Sequence, residues 1–335
     1  MSRFVLKRII LLLPTLAGIS LLVFAMLYLV PGDPAQVMLG ERANAETLAA
    51  LRQEMGLDQP FHVQFGHFVA GLLRGDLGRS IRTHELVTVE VLQRFPATCE
   101  LTLASMALAV CGGLAAGIFA AVRRGRAIDY ISMVAATAGI SIPIFWLALM
   151  LIMVFSVFVP LFPVSGRLST EVLLAPITGV YTLDALLRAD ARAFGNALWH
   201  LCLPALTLST VPMAVIARMT RASLLEVLGQ DYIRTAWAKG LGERAVVLRH
   251  ALKNAFIPTL TVIALEFGYL LGGAIITETV FAWPGVGRWL LLAVQARDFR
   301  AVQGGVLLLA TVFIVINLLA DVLYAWLDPR IRYDT

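Results

Sequence analysis

Lysine is almost missing from this chain: Lys7, Lys239 and Lys253 are the only three among its 335 residues. They stand in the contexts Leu-Lys-Arg, Ala-Lys-Gly and Leu-Lys-Asn. None completes the Gly-rich loop, Lys and Ser or Thr that cradle nucleotide phosphates. If the chain takes part in ATP-driven work, another polypeptide must hold the nucleotide. Charge of either sign is scarce too, at 15% of residues against about 25% in soluble domains. The net charge of +5 is spread over short loops rather than gathered on one face, which argues against a nucleic-acid partner. Cysteine is limited to Cys99, Cys111 and Cys202. These lie in or beside apolar runs, lack metal-ligand spacing, and read as small buried hydrophobes. The five histidines form no ligand cluster; His62 and His67, five residues apart, fall on different faces of a helix. No nucleophile–base arrangement is visible.

What the sequence has in abundance is apolar surface. Apolar residues make up 59% of the chain and the mean hydropathy is +0.82. A helix crossing the hydrocarbon core needs about 20 mostly apolar residues. Six stretches meet that need: 9–30, 98–122, 131–158, 201–217, 257–276 and 302–324, none of which holds Lys or Arg. The fourth is short and contains Pro204 and Pro212, so its limits are the least defined. The first run is too long for a cleaved leader and reads as a retained helix. Six crossings in an all-α membrane protein follow, with lipid as the surrounding partner.

Lys and Arg favour cytoplasmic loops. With the N-terminus inside, Arg3, Lys7 and Arg8, then Arg123, Arg124 and Arg126, then seven residues from Arg218 to Lys253, and finally Arg330 and Arg332 all fall inside. Both termini are then cytoplasmic. The chain divides into a tail and first span (1–30), an extracytoplasmic helical segment (31–97), and a core of five spans (98–335) carrying a cytoplasmic loop at 218–256. In the first outer segment a stripe through Phe61, Phe65, Phe68, Val69 and Leu72 has helical spacing. It suits packing on the bundle, the membrane interface or a partner, with packing favoured. The second outer segment, 162–199, has a helix-like stretch from Leu183 to Leu187 and is placed to cover the outer mouth.

The cytoplasmic loop is the most informative stretch. Leu224, Leu225 and Leu228 share a helical face, and Ile233, Ala236 and Trp237 follow Asp231. Gly240 and Gly242 then break the pattern. A second helix runs through Val246, Val247, Ala251 and Ala255. The reading is helix, glycine turn, helix.

Arg234 to Leu241 reads RTAWAKGL and follows DYIR, in which Asp231, Tyr232 and Arg234 stand. This resembles the EAA loop of permease subunits of ATP-binding-cassette importers in its peptide-importer form. Arg234, Thr235 and Ala236 take the first three places of the general pattern and Gly240 its glycine. His250 and Lys253 depart from the general ending, yet HALKN from His250 to Asn254 is usual in the peptide subgroup. Pro31 to Pro34 (PGDP), Leu57 to Pro60 (LDQP), Gly75 to Gly78 (GDLG), Glu278 to Arg288 (ETVFAWPGVGR) and Asp328 to Arg332 (DPRIR) extend the resemblance over nearly the whole chain.

The resemblance implies a type I importer permease fold in a bacterial inner membrane. It implies a homologous second permease subunit, two ATPase subunits holding ATP and Mg²⁺, and an extracytoplasmic substrate-binding protein. This chain would hold no cofactor of its own and perform no covalent chemistry. It implies docking of the loop on an ATPase subunit through Asp231, Tyr232, Arg234, Thr235, Ala236, Ala238, Lys239, Gly240 and Leu241. The expected substrates are di- and oligopeptides, with glutathione, nickel and opines as alternatives within the family.

An acid within a span is costly and usually faces protein or a water-filled cavity. Glu266, in the fifth run, is a candidate for the translocation route or for a tie between helices. Pro143 and Trp146 stand in the third, where they either shape a kink beside the pathway or pack in the core, with packing favoured. Glu100 and Asp321 lie near span ends, where anchoring is the better explanation. A rival of another class is an autonomous proton-coupled transporter with Glu266 as relay. An intramembrane hydrolase is disfavoured by the lack of paired aspartates or a Ser–Lys constellation.

Overall fold

The computed structural model describes residues 2–29, 35–36, 44–54 and 56–327. The motifs at Pro31 to Pro34 and Asp328 to Arg332, and the side chain of Asp321, lie outside the described residues. Helix α1 is Ser2–Leu29. Next along the chain are α2 (Ala45–Glu54) and α3 (Phe61–Leu73). Then follow α4 (Val87–Val122), α5 (Ala127–Ser141) and α6 (Ile144–Ile152, continued as a π-helix over Met153–Phe158). A short α7 (Tyr181–Leu187) precedes α8 (Ala191–Leu228) and α9 (Asp231–Ala238). A π-helix over Ala245–Ala251 leads into α10 (Leu252–Val280), and α11 (Val286–Gln295) and α12 (Phe299–Leu327) complete the described chain. Among the described residues the only extended pairing is a single bridge between Arg79 and Leu86.

Three helices are long and apolar enough to cross a membrane, Val87–Val122, Ala191–Leu228 and Phe299–Leu319. The number rises to five if each of two bent pairs counts as one crossing. The described apolar part of α1 covers Ile10–Met26.

The centre is the crossing of α4 and α8, on which α10 packs; α12 and α1 add to one side and α5 and α6 to the other. Small residues set the distance between the two long helices. A Cβ on Gly113 would fall 2.8 Å from the Met213 carbonyl oxygen, and one on Gly117 would fall 2.6 Å from that of Ala217. In lipid, where oil-like surroundings remove much of the hydrophobic drive, this close backbone approach is what holds helices together. Around it pack Leu101, Met106, Ala109, Leu208 and Ile216 of α4 and α8, with Leu270 and Ala274 of α10. Within α8, Thr207 donates to the Leu203 carbonyl and Thr210 to that of Leu206, while the buried Thr220 hydroxyl finds no partner among the described residues. The helix runs unbroken through Pro204 and Pro212, and is far longer than the 201–217 run.

Two further boundaries differ from expectation. Residues 131–158 are not one straight helix but two arms meeting at 105°. Ile142 is extended (φ −80°, ψ 125°) and Pro143 caps the second arm. A residue before proline is pushed out of the helical region and proline cannot donate its own hydrogen bond. In this sequence context the two effects break the helix rather than bend it. The second span begins at Val87, inside the segment assigned to the outer region, because its polar first turns find distant partners. Trp289 Nε1 donates to the buried Glu90 carboxylate at 3.3 Å, and Arg94 folds back on Glu90. Cys111 is exposed in this chain rather than buried.

The outer segments are ordered by specific contacts. The stripe on α3 closes on α1, with the rings of Phe61, Phe65 and Phe68 lying 5.2, 5.4 and 5.2 Å from that of Phe24. Glu100 anchors the second outer segment, accepting from Arg167 Nη2 at 2.5 Å, Thr182 N at 2.7 Å and Thr182 Oγ1 at 2.8 Å. The Arg167 guanidinium lies 3.7 Å from the centre of the Tyr181 ring. Burial alone raises the Asp184 carboxyl. The Thr178 hydroxyl and the amides of Ile177, Thr178 and Gly179 outweigh this and hold it below its usual range.

Candidate functional site

Helix α9 follows α8 after a two-residue turn. Its buried side is narrow. Ile233 and Ala236 sit with Ala121, Leu224, Val246, Val247, Ala251 and Ala255 in one apolar cluster, against which Leu241 also packs. The spacing of three residues between Ile233 and Ala236 defines that side. Trp237, which the sequence grouped with them, is 46% exposed.

The opposite side presents Asp231, Arg234, Thr235, Ala238 and Lys239 to solvent, together with Tyr232, which is 43% exposed. Asp231 and Arg234 pair at 3.2 Å, but both side chains are more than three-quarters exposed, so water screens the pair and it holds little. The Tyr232 hydroxyl accepts from Asn254 Nδ2 at 2.7 Å, linking α9 to α10. Of the docking candidates, Ala236 is buried in the apolar cluster and Leu241 packs against it.

Gly240 ends the helix. Its φ is +77°, its amide donates to the Trp237 carbonyl at 2.9 Å, and a Cβ added there would meet nothing within 4 Å. The left-handed backbone explains why glycine stands here, and the surrounding space is open.

The platform beneath α9 is stiffened by a pair the sequence did not single out. Asp129, at the start of α5, accepts from Arg221 Nε at 2.6 Å, from Arg221 Nη2 at 2.9 Å, and from the Gly125 amide at 3.0 Å. Bidentate guanidinium–carboxylate pairing fixes orientation as well as distance. It ties the C-terminal part of α8 to α5 about two turns before α8 ends. The partners are 92 residues apart, and no local pattern announces them.

Glu266 is half-buried on α10 and makes no hydrogen bond or ion pair among the described residues. It ties no helices together within the described part of this chain. Leu265 and Tyr269 beside it are more than half exposed, so this stretch of α10 is open in the single chain. Helix α6 packs on α10, and its Trp146 is 47% exposed. Core packing therefore does not describe Trp146. Pro143 acts as the cap of α6 at the 105° break.

The ETVFAWPGVGR stretch builds a lock where α4, α10 and α11 meet. Glu278 is 0% exposed and accepts from Thr98 Oγ1 at 2.7 Å and from the Arg288 amide at 2.9 Å. The Val286 amide donates to Thr98 Oγ1 at 2.9 Å, and Trp283 Nε1 to the Ala97 carbonyl at 2.8 Å. A side chain at Gly285 would collide with the Glu278 carboxylate, and one at Gly287 with the Ile275 backbone and side chain. The motif thus joins α4, α10 and α11. Among the described residues no three His, Cys, Asp or Glu side chains are placed to hold a metal ion.

The profile of a family described as the inner membrane component of binding-protein-dependent transport systems matches residues 113–333. Its N-terminal counterpart matches residues 1–102. The chain is 49% identical over 337 residues to a dipeptide transport system permease protein of Escherichia coli K12, covering 99% of each chain. It is also 49% identical over 335 residues to a di/tripeptide transport system permease protein of Pseudomonas aeruginosa UCBPP-PA14, covering 100% of both. To a glutathione transport system permease protein of Escherichia coli O6:H1 it is 44% identical over 333 residues, covering 99% of this chain and 100% of that protein.

Proposed function

This chain belongs to the family of inner membrane components of binding-protein-dependent transport systems, and we propose that it forms half of the translocation pathway of an ATP-driven importer of di- and oligopeptides. The other half is a homologous permease subunit. A substrate-binding protein delivers peptide outside, and two ATPase subunits holding ATP and Mg²⁺ bind inside. The chain is a multi-pass protein of the bacterial inner membrane. The peptide substrate rests on the relatives' dipeptide and di/tripeptide permeases, while the glutathione permease at 44% identity keeps that substrate as the second reading.

The observation that carries this assignment is α9. It is a short helix whose inner side is locked into the bundle and whose outer side, ending at a left-handed glycine, faces open space. Such an element transmits a push from a docked partner to α8 and α10 without bending. Asp231, Tyr232, Arg234, Thr235, Ala238, Lys239 and Gly240 form the docking side, and Ala236 and Leu241 root it in the bundle. ATP-driven closure of the ATPase pair moves α9 and opens the cavity outward; hydrolysis returns it. This chain supplies motion and a path, and its partners supply the nucleotide chemistry.

In this reading the chain crosses six times, through α1, α4, the α5–α6 pair, α8, α10 and α12, with both termini cytoplasmic. A cysteine replacing Arg192 should then react with an impermeant reagent in sealed cells, and one replacing Glu243 only after the membrane is opened. The reverse pattern would overturn the orientation.

Glu266 lines the pathway beside α6, with Pro143 shaping its wall and Trp146 facing it. A carboxylate without a partner among the described residues is suited to meet a peptide's ammonium group. Glu266→Gln keeps the shape and loses the charge, so uptake should fall severalfold at unchanged folded yield. Unchanged uptake would remove Glu266 from the pathway.

The experiment that tests the function is reconstitution. The chain, its homologous partner and the two ATPase subunits in liposomes should take up dipeptide when binding protein is outside and ATP inside. The chain alone, given a pH gradient, should take up none. Proton-driven uptake by the chain alone would establish the secondary transporter instead.

A further inference from the structure

A cavity of about 510 Å³ lies on the outer side of the chain, between α1, the α2–α3 segment and the start of α12. Its level is set by two of its walls. Phe24 stands at the outer end of the apolar stretch Ile10–Met26, and Phe299 begins the candidate span Phe299–Leu319. The cavity therefore sits where two apolar helices emerge, the depth at which lipid headgroups and aromatic side chains collect.

Its lining is two-sided. Phe24, Leu57, Phe68 and Phe299 give an apolar wall. Gln64, His67, Arg79 and Arg300 face it with polar groups. Several of these are already spent: Gln64 Nε2 donates to the Leu57 and Gln59 carbonyls, and Arg79 Nη1 donates to the His84 carbonyl.

Arg300 differs from them. It is half-buried at the head of α12 and makes no hydrogen bond or ion pair among the described residues. Its stem lies against Gly78, where an added Cβ would come within 3.3 Å of Cδ. That glycine (φ +82°) leaves the guanidinium its place in the cavity. Asp76 also lines the cavity, near enough for its charge to act on Arg300 without an ion pair forming, and its Oδ1 is taken by the Gly78 amide at 2.8 Å. A partly desolvated guanidinium with unused donors is a phosphate ligand, because its planar fork matches two phosphate oxygens.

We propose that this cavity holds the phosphate of an outer-leaflet phospholipid, with Arg300 as its main donor and the Phe24–Phe68 wall against the glycerol and upper acyl chains. The bound lipid fills the gap between α1 and α12. Free phosphate shares the headgroup's chemistry but not its apolar part, and the two are separable by experiment.

The test uses the full-length chain in its assembled complex, followed by native mass spectrometry during titration with dioctanoyl-phosphatidylglycerol. One tightly held lipid per copy of this chain is expected. Arg300→Gln should weaken that binding about tenfold, the scale of one charge-assisted pair, and Arg300→Lys should recover part of it. On the wild-type complex alone, dioctanoylglycerol, which lacks the phosphate, should fail to occupy the site. Inorganic phosphate at equal concentration should compete poorly. Equal binding of dioctanoylglycerol, or unchanged lipid binding by an assembled Arg300→Gln complex, would overturn the proposal. Strong binding of inorganic phosphate with no competition from lipid would contradict the headgroup assignment.

Discussion

Gly117→Leu is expected to abolish the folded yield of this chain, while Gly112→Ala, barely more than one turn away on the same helix, should leave it close to wild type. The contrast comes from what each new atom would meet. At Gly117 a Cβ would lie 2.6 Å from the Ala217 carbonyl oxygen and 2.6 Å from Thr220 Cβ. Neither can swing away, because both belong to the packed core of α8, so the helices must separate. At Gly112 the nearest atoms are Met213 Cε at 2.8 Å and Sδ at 2.9 Å, the end of an unbranched side chain that can take another rotamer. Overpacking in a tight core costs about 1–3 kcal/mol and occasionally more. For the added bulk of leucine at the central crossing the upper end applies, comparable to a large fraction of a domain's whole stability. Detergent-stable yield and thermal unfolding of the two variants would check this. Equal yields would show that the α4–α8 crossing does not limit assembly.

That crossing was only partly legible in the sequence. Apolar runs long enough to span are a local property, and those containing α1, α4, α8, α10 and α12 are all helices. The helix–glycine–helix order of the cytoplasmic loop is equally local, since Gly240 needs only its own backbone to end α9. What escaped depends on partners far along the chain. Val87 to Ala97 includes Glu90, Gln93 and Arg94 and reads as part of the segment before the second apolar run, yet it is continuous with that run because Trp289 and α11 cover it. Pro143 sits among strongly apolar neighbours, so hydropathy carries straight across a break of 105°.

The docking face shows the same limit on a smaller scale. Ile233, Ala236 and Trp237 are equally apolar by composition. The contact with Val246 and Ala251 of the following helix decides that the first two turn inward and the third outward. Arg167 and Glu100, 67 residues apart, form an ion pair that neither neighbourhood predicts. The ETVFAWPGVGR stretch was recognisable as a motif, but its purpose, a buried carboxylate capped by Thr98 and backbone amides, needed the fold.

The most direct measurement of how this permease is driven is the coupling of Gly240→Trp, compared with Gly240→Asn. Any L-residue at φ +77° carries strain of about 1–2 kcal/mol, least for asparagine, which tolerates this region. A Cβ added at Gly240 meets nothing within 4 Å. In the proposed reading a large indole there fills the place of the docked ATPase subunit, whereas asparagine is small enough to leave docking possible. Folded yield should therefore be retained by both variants. In the reconstituted importer the tryptophan variant should lose at least about 90% of ATP-driven peptide uptake, corresponding to about 1.4 kcal/mol or more in docking. The asparagine variant should keep most of it. If Gly240→Trp assembles with the ATPase subunits and drives uptake as the wild type does, α9 is not where ATP energy enters this chain, and the account of its function is wrong at its centre.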